Sequence, residues 1–384
     1  MQKRSIRFKG FAALLTLFIL SSTAAYAAPA KTAVHVQQNG NEIALENAPF
    51  ADKGRIYLPL RELSGMLDLY TKWSDGTVYS TGINGRLQID AKTKHATVSD
   101  GKTTRTLQAD VQIKQGVTYV QLRAFSDAFG IPLDWDNRTN TANIRYDSQY
   151  LVAIAGMAAD SENNVFWLNR KDGSLYKSGK VVPALIGKTR MEVKEIGGMH
   201  VDYLGNSQYI VSVLDNYGEP HLNDVHYKAI VNQNKIVRES KVHYWGFHNS
   251  QSVGGYGDNI AMIDDKTLHL VRPNGEIVQS YDLAALGGED DVYTVEAIDT
   301  DFLLIRPYKK QTLTLVNLKT KQSTVLYKEL LSEEEIGILE DWLPTEADYP
   351  GDKLTFVKKD GATLTFKHTA LLNNTESNLT YELK

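Results

Sequence analysis

Gly54-Arg55-Ile56-Tyr57-Leu58-Pro59-Leu60-Arg61 and Gly116-Val117-Thr118-Tyr119-Val120-Gln121-Leu122-Arg123 align position for position at an offset of 62 residues. The alignment continues without a gap, Leu63 falling on Phe125, Ser64 on Ser126, Leu67 on Phe129 and Trp73 on Trp135. One supersecondary unit is therefore present twice. Each copy opens on alternating strand formers. Leu60, Leu63 and Leu67, like Leu122, Phe125 and Phe129, then fall at i, i+3 and i+7, the spacing that lines up three apolar side chains on one helix face. Each copy thus reads strand, helix, strand, and the helix face must cover a sheet. Between the copies, Arg86 to Asp90 and Ala96 to Ser99 alternate in polarity and are expected to form a hairpin. An α+β domain over 33–147 follows.

Beyond 150 the pattern changes to short strands broken by turn residues. Asp172-Gly173, Asn274-Gly275 and Asp360-Gly361 are type I′ hairpin signals between strand-like runs such as Val165-Phe166-Trp167-Leu168 and Ser174-Leu175-Tyr176, and Gln233-Asn234 and Thr320-Lys321 hold equivalent places. The five turns are spaced by 61, 41, 46 and 40 residues. Periods of this length with several strands each suggest propeller blades. The long first interval is assigned to an inserted loop over 215–225. The whole chain is therefore read as mainly β, with an N-terminal α+β domain of two strand-helix-strand repeats and a five-bladed β-propeller over 150–384. An irregular β-sandwich is the alternative for the second half. Ser332-Glu333-Glu334-Glu335 is a capping box ahead of Ile336, Leu339 and Trp342, so a short helix should interrupt the last blade.

The paired Leu-Pro-Leu-Arg…Trp and Gln-Leu-Arg-Ala-Phe…Asp-Trp-Asp patterns resemble the copper amine oxidase N-terminal-like, or stalk, domain over residues 35–146. The resemblance implies a non-catalytic envelope or interaction module, of the kind appended to other domains in exported proteins of Gram-positive bacteria. It does not imply an oxidase. That chemistry needs a His-x-His copper pair and a Tyr in an Asn-Tyr-Asp/Glu setting; the chain contains no His-x-His, and Asp215-Asn216-Tyr217-Gly218 lacks the acid.

The first 27 residues set the compartment. Lys3, Arg4, Arg7 and Lys9 form a basic region without acids, followed by the apolar run Phe11 to Leu20 and the small-residue site around Ala25 and Ala27. Residues 1–27 are read as a secretory signal peptide cut after Ala27, because the apolar run is shorter than the roughly 20 residues a membrane-spanning helix needs. No transmembrane segment is expected after cleavage. Losing four cations takes the formal net charge from −4 to about −8, which argues against a nucleic-acid partner. The absence of Cys from all 384 residues removes disulfides, thiolate metal sites and cysteine nucleophiles. The 20 Tyr against 6 Met fit half-buried strands.

Candidate chemistry is sparse. His221 with His226 and His243 with His248 stand at i, i+5, which on a helix separates the rings and on a strand sends them to opposite faces, so no metal site is expected. These histidines are assigned to loops and strand edges. Asp202, Glu296 and Asp341 fall in segments read as inner strands of three blades (200–203, 293–298 and 338–342) and are the candidates for a paired-carboxylate glycosidase. Tyr244, Trp245, Phe247 and Tyr256 cluster with Gly246, Gly254, Gly255 and Gly257. That composition suits a surface where rings stack on a glycan or peptide, and equally suits packing between blades. With no catalytic residues and no cofactor assigned, the expectation is a non-catalytic exported binding or scaffolding protein. It would be associated with the cell envelope and meet a cell-wall component or an envelope protein. The alternative is a secreted carbohydrate-active enzyme.

Overall fold

The computed structural model describes residues 33–156, 164–246, 248, 251–341 and 349–384. The expected signal peptide, Phe247 and Trp342 lie outside them.

In the first half the repeat is visible as pairing. Strand Arg55–Pro59 leads into α1 (Leu60–Met66) and strand Tyr70–Ser74, while Val117–Gln121 leads into α2 (Leu122–Phe129) and Leu133–Asp136. The two leading strands run antiparallel with Leu58 opposite Val120, Tyr57 opposite Gln121 and Pro59 opposite Tyr119. Leu58 and Val120 are equivalent positions of the repeat, so a local two-fold axis passes through their pair. Val111–Lys114 and Phe50–Asp52 flank this centre and complete a four-stranded sheet. α2 stops at Gly130, whose left-handed φ of +67° lets its N–H return to the Ser126 carbonyl.

The segments expected as a hairpin, 86–90 and 96–99, are the third and fourth strands of a larger five-stranded meander over Tyr70–Gln108. A third sheet pairs His35–Gln38 in parallel with Thr141–Ile144, tying the beginning of this half to its end. Leu63 of α1 and Phe125 of α2 are fully buried with Leu58, Val78, Leu87, Ile89 and Val120. Burial stabilises each such side chain by about 1.5–3 kcal/mol against the entropy of ordering it.

Among the described residues, the second half holds five consecutive antiparallel meanders. Sheet I holds Tyr150–Ile154, Val165–Asn169, Ser174–Lys177 and Ala184–Lys188. Sheet II holds Ile196–Gly205, Gln208–Tyr217, Asn223–Asn232 and Lys235–Trp245. Sheet III holds Gly255–Tyr256, Asn259–Asp264, Thr267–Val271 and Ile277–Asp282, followed by α3 (Leu283–Gly287). Sheet IV holds Tyr293–Ile298, Phe302–Pro307, Thr314–Asn317 and Ser323–Val325. After α4 (Tyr327–Leu330) and α5 (Glu333–Asp341), sheet V holds Leu354–Asp360, Thr363–Thr369 and Glu376–Glu382.

Apolar clusters join I to II, II to III, III to IV and IV to V. This serial face-to-face packing is propeller-like. Among the described residues no such cluster joins V back to I.

Several local expectations are corrected. Only Gln233-Asn234, of the turns singled out, has both central residues left-handed (φ 49° and 61°), as type I′ requires. At 172–173, 274–275 and 360–361 the glycine alone is left-handed. Asn206-Ser207 (φ 50° and 59°) is a second such turn, hidden because neither residue is Gly. The long first interval comes from strand length: the strands of sheet II run to 10 or 11 residues each, and the loop between Tyr217 and Asn223 is short. The capping box forms, with the Glu335 N–H donating to Ser332 Oγ at 3.3 Å. Residues 338–341 consequently belong to α5 and not to an inner strand, because three acids in the first turn and the Ser332 cap favour helix there.

Candidate functional site

Sheet II is covered on both faces, so its strands should be apolar on both. One face obeys: Val201, Tyr209, Val211, Val213, Val225, Tyr227 and Ala229 are buried against sheet I. On the other face the pattern breaks. Ile210 and Ile230 pack on Ile260 and Met262 of sheet III, but two residues along each strand the register aligns His200, Ser212, Lys228 and Ser240 across all four strands. The next row is Gly198, Leu214, His226 and Val242.

Where these rows fail to fill the space there is a cavity of about 510 Å³, closed from the other side by Gln251, Ser252, Val253, Ala261 and Ile263. The Lys228 ammonium donates to the Ala261 carbonyl at 2.8 Å. Burial pushes the Lys228 pKa down, against the pull of Asp202. Burial also pushes His226 below the ordinary histidine value, a shift that Asp224 opposes and Lys228 reinforces. The His226 ring keeps accessible surface although protein surrounds it, as befits a group in a cavity wall. Tyr244 stands edge-on to His226, with ring centroids 5.3 Å apart, and its hydroxyl donates to the Tyr293 carbonyl at 3.0 Å.

The aromatic residues singled out in the sequence separate. Tyr244 is buried in the cavity wall, whereas its neighbour Trp245 is 60% exposed, as adjacent strand residues on opposite faces must differ. Tyr256 is half-buried on a two-residue edge strand. Phe247 lies outside the described residues.

The candidate acids separate as well. Asp202 sits on the first strand of sheet II and meets His200 Nε2 at 3.0 Å. Glu296, on the first strand of sheet IV, is held by Arg306, which also binds Asp352 at 2.7 Å and the Leu354 carbonyl at 2.6 Å. Burial works against the Arg306 charge, but Asp352 and Glu296 more than offset it and raise its pKa above the ordinary arginine value. Asp341 is the last residue of α5.

Of the histidines, His221 is on a loop 3.5 Å from Glu195, and His243 on an edge strand bonds Asn223 at 3.0 Å. His226 departs from the expected loop-or-edge placement: it is on the third strand of sheet II, paired on both sides. Among the described residues no three His, Asp or Glu are placed to hold a metal ion. None of the described helices is long and apolar enough to cross a membrane.

A larger cavity, about 790 Å³, lies where the two halves meet, between α1 with strand Tyr70–Ser74 and strand Tyr150–Ile154. Its Asp68 carboxylate is taken up by hydrogen bonds from residues 146–150, which makes the junction a structural joint.

Sequence reading missed Lys228, Ser212, Ser240 and Asp68. The available signal was Lys228 itself, a lysine inside the run Val225-His226-Tyr227-Lys228-Ala229-Ile230-Val231, whose neighbours are those of a strand buried on both faces.

Fold and site together define a mainly β chain that mounts a propeller-like series of sheets behind a two-fold α+β domain. Residues 37–144 match the family described as the copper amine oxidase N-terminal domain, so the first half is a domain of that type. Among curated proteins none matches the chain. Apo AztD from Citrobacter koseri shares 9% identity over 66% of this chain and 70% of its own, with a TM-score of 0.22. A luciferin-regenerating enzyme shares 9% over 86% and 96%, at 0.24. The Pan2 WD40 domain of Neurospora crassa shares 12% over 67% and 63%, at 0.19. Likenesses at these scores carry no functional argument, and the architecture rests on the sheets themselves.

Proposed function

We propose that the mature chain is a non-catalytic exported binding or scaffolding protein of the bacterial cell envelope. In this reading residues 33–147 dock to wall or to an envelope protein, and the propeller-like half holds a ligand. The sequence of residues 1–27 supports export, and the match over 37–144 supports a stalk-type module. The observation that carries the binding role is the cavity between sheets II and III, where polar groups converge on a four-stranded antiparallel sheet. The carbohydrate-active alternative has less support, because Glu296 is neutralised by Arg306 and Asp341 ends a helix.

The test is co-sedimentation of residues 28–384 with isolated Gram-positive cell walls, with soluble sugar and peptide release followed in the same tube. Saturable pelleting without release is the expected result. Release that disappears in Asp202→Asn would establish the enzyme instead, and neither pelleting nor release would direct the search to a protein partner.

A further inference from the structure

We propose that the cavity between sheets II and III binds a small organic anion, an apolar body ending in a carboxylate or similar oxyanion, with Lys228 holding the charged end between Ser212 and Ser240. The inference rests on the reading of the propeller-like half as a binding module.

The register places Ser212 and Ser240 directly opposite Lys228 on its two neighbouring strands, so one ammonium and two hydroxyls form a single row facing the cavity. One of the three ammonium donors goes to the Ala261 carbonyl, which ties Nζ to the wall and leaves two for an occupant. Among the described residues, the ionisable groups lining the cavity are Lys228, His200, His226 and the phenol of Tyr244, with no carboxylate among them. Asp202, the acid whose charge acts on Lys228, is turned to His200. Burial holds the Lys228 and His226 pKa values down, and Lys228 lowers that of His226 further, so negative charge placed beside them would favour their protonated forms.

The remaining lining is apolar. Leu214, Val242, Val253 and Ile263 surround the polar row and give an occupant's body a surface to bury. About 510 Å³ falls within the usual range of small-ligand sites, roughly 300–1,000 Å³. The row is also costly to keep: a lysine in an inter-sheet face, where Ile230 packs two residues along the same strand, loses hydration for one carbonyl contact. An anion restores that loss, and an apolar residue at 228 would have avoided it.

The probe pair is 8-anilinonaphthalene-1-sulfonate, an apolar body with an anionic end, and N-phenyl-1-naphthylamine, the same body without the charge. Titrated into residues 28–384, the sulfonate should bind saturably at one site, and Lys228→Met should weaken it at least tenfold while leaving the neutral probe unchanged. Lys228→Arg should retain most of the affinity. If Lys228→Met fails to fold by near-ultraviolet circular dichroism, Ser212→Ala with Ser240→Ala should weaken the sulfonate several-fold and spare the neutral probe. Sulfonate binding that is absent, or unchanged in these variants, overturns the proposal. Pelleting with walls does not depend on this site, so a chain that pellets but ignores the sulfonate sinks the anion site alone. One that binds the sulfonate and does not pellet sinks the envelope docking alone.

Discussion

The indole Nε1 of Trp167, in the first propeller-like sheet, donates to the backbone carbonyl of Asp68, at the end of α1, across 3.1 Å. The Asp68 carboxylate accepts from Tyr146 Oη at 3.0 Å, Ser148 Oγ at 2.7 Å and the N–H groups of Gln149 and Tyr150 at 2.7 and 2.9 Å. One residue therefore satisfies the linker between the halves and anchors the largest buried side chain of sheet I. Asp68 also holds φ at 53°, a left-handed conformation that Asp and Asn tolerate better than Ala.

Asp68→Ala removes the acceptor for four donors and adds backbone strain, so it should cost about 3 kcal/mol or more. Because the lost bonds join the halves, calorimetry should resolve two unfolding transitions where the parent shows closer coupling. Asp68→Asn keeps the backbone preference and one oxygen acceptor and should fall between. An Ala variant that melts like the parent would show that the junction contributes nothing.

Arg306 links sheets IV and V. It is 6% exposed and binds Glu296, Asp352 and the Leu354 carbonyl, while fully buried Asp352 also accepts the Leu313 N–H. Arg306→Met strands two carboxylates in a low-dielectric site, and the expected loss is about 3–5 kcal/mol by urea denaturation. Glu296→Gln should cost less, since Asp352 stays in place. Any loss of binding in Glu296→Gln should follow its loss of fold, and recover at lower temperature.

The first half was legible because its information is local and repeated. Equivalent residues at an offset of 62 forced equivalent elements, and Leu58 facing Val120 is the structural form of that offset. The second half was legible in its strand periods and less so in its turns. Gln233-Asn234 and Asn206-Ser207 adopt the same backbone without Gly, because strong pairing of long strands imposes it. The acids misled for a different reason. Asp341 was assigned to an inner strand over 338–342, while the capping box nine residues earlier dictated helix. The cavity was invisible because it depends on which face of sheet II meets sheet III. That is a register between residues 12 or 16 apart in sequence, and no single stretch of sequence carries it.

Acid should destabilise the protein in two stages. Burial lowers the pKa of His226, His243, His248 and His269 below the ordinary value, so each binds protons more readily when unfolded. Stability therefore falls as pH drops through about 6.5, the unfolded histidine value. A second loss begins near the unfolded carboxylate value of about 4, because there Asp301, held low in the fold by Lys319 and Lys359, takes up its proton only in the unfolded chain. Urea midpoints between pH 8 and 3 should show both steps. His226→Gln should flatten the first without touching the second; an unchanged slope in that variant would remove His226 from the account.

The turn at Gln233-Asn234 offers a test by gain. Asn232 pairs with Lys235, so these two residues form the whole connection between strands of 10 and 11 residues, and both are left-handed. Gln at φ 49° has its Cβ close to the following carbonyl, a conflict of roughly 1–2 kcal/mol that Asn or Gly relieves in part. Gln233→Asn with Asn234→Gly installs the preferred type I′ pair on an unchanged register. The double variant should gain about 1 kcal/mol and raise the melting temperature of the propeller-like half by about 2–4 °C. The turn lies beyond the cavity rows, past Ile230 on its own strand, so sulfonate affinity should stay at the parent value. A variant that gains stability and loses that affinity would instead place the turn in contact with the site.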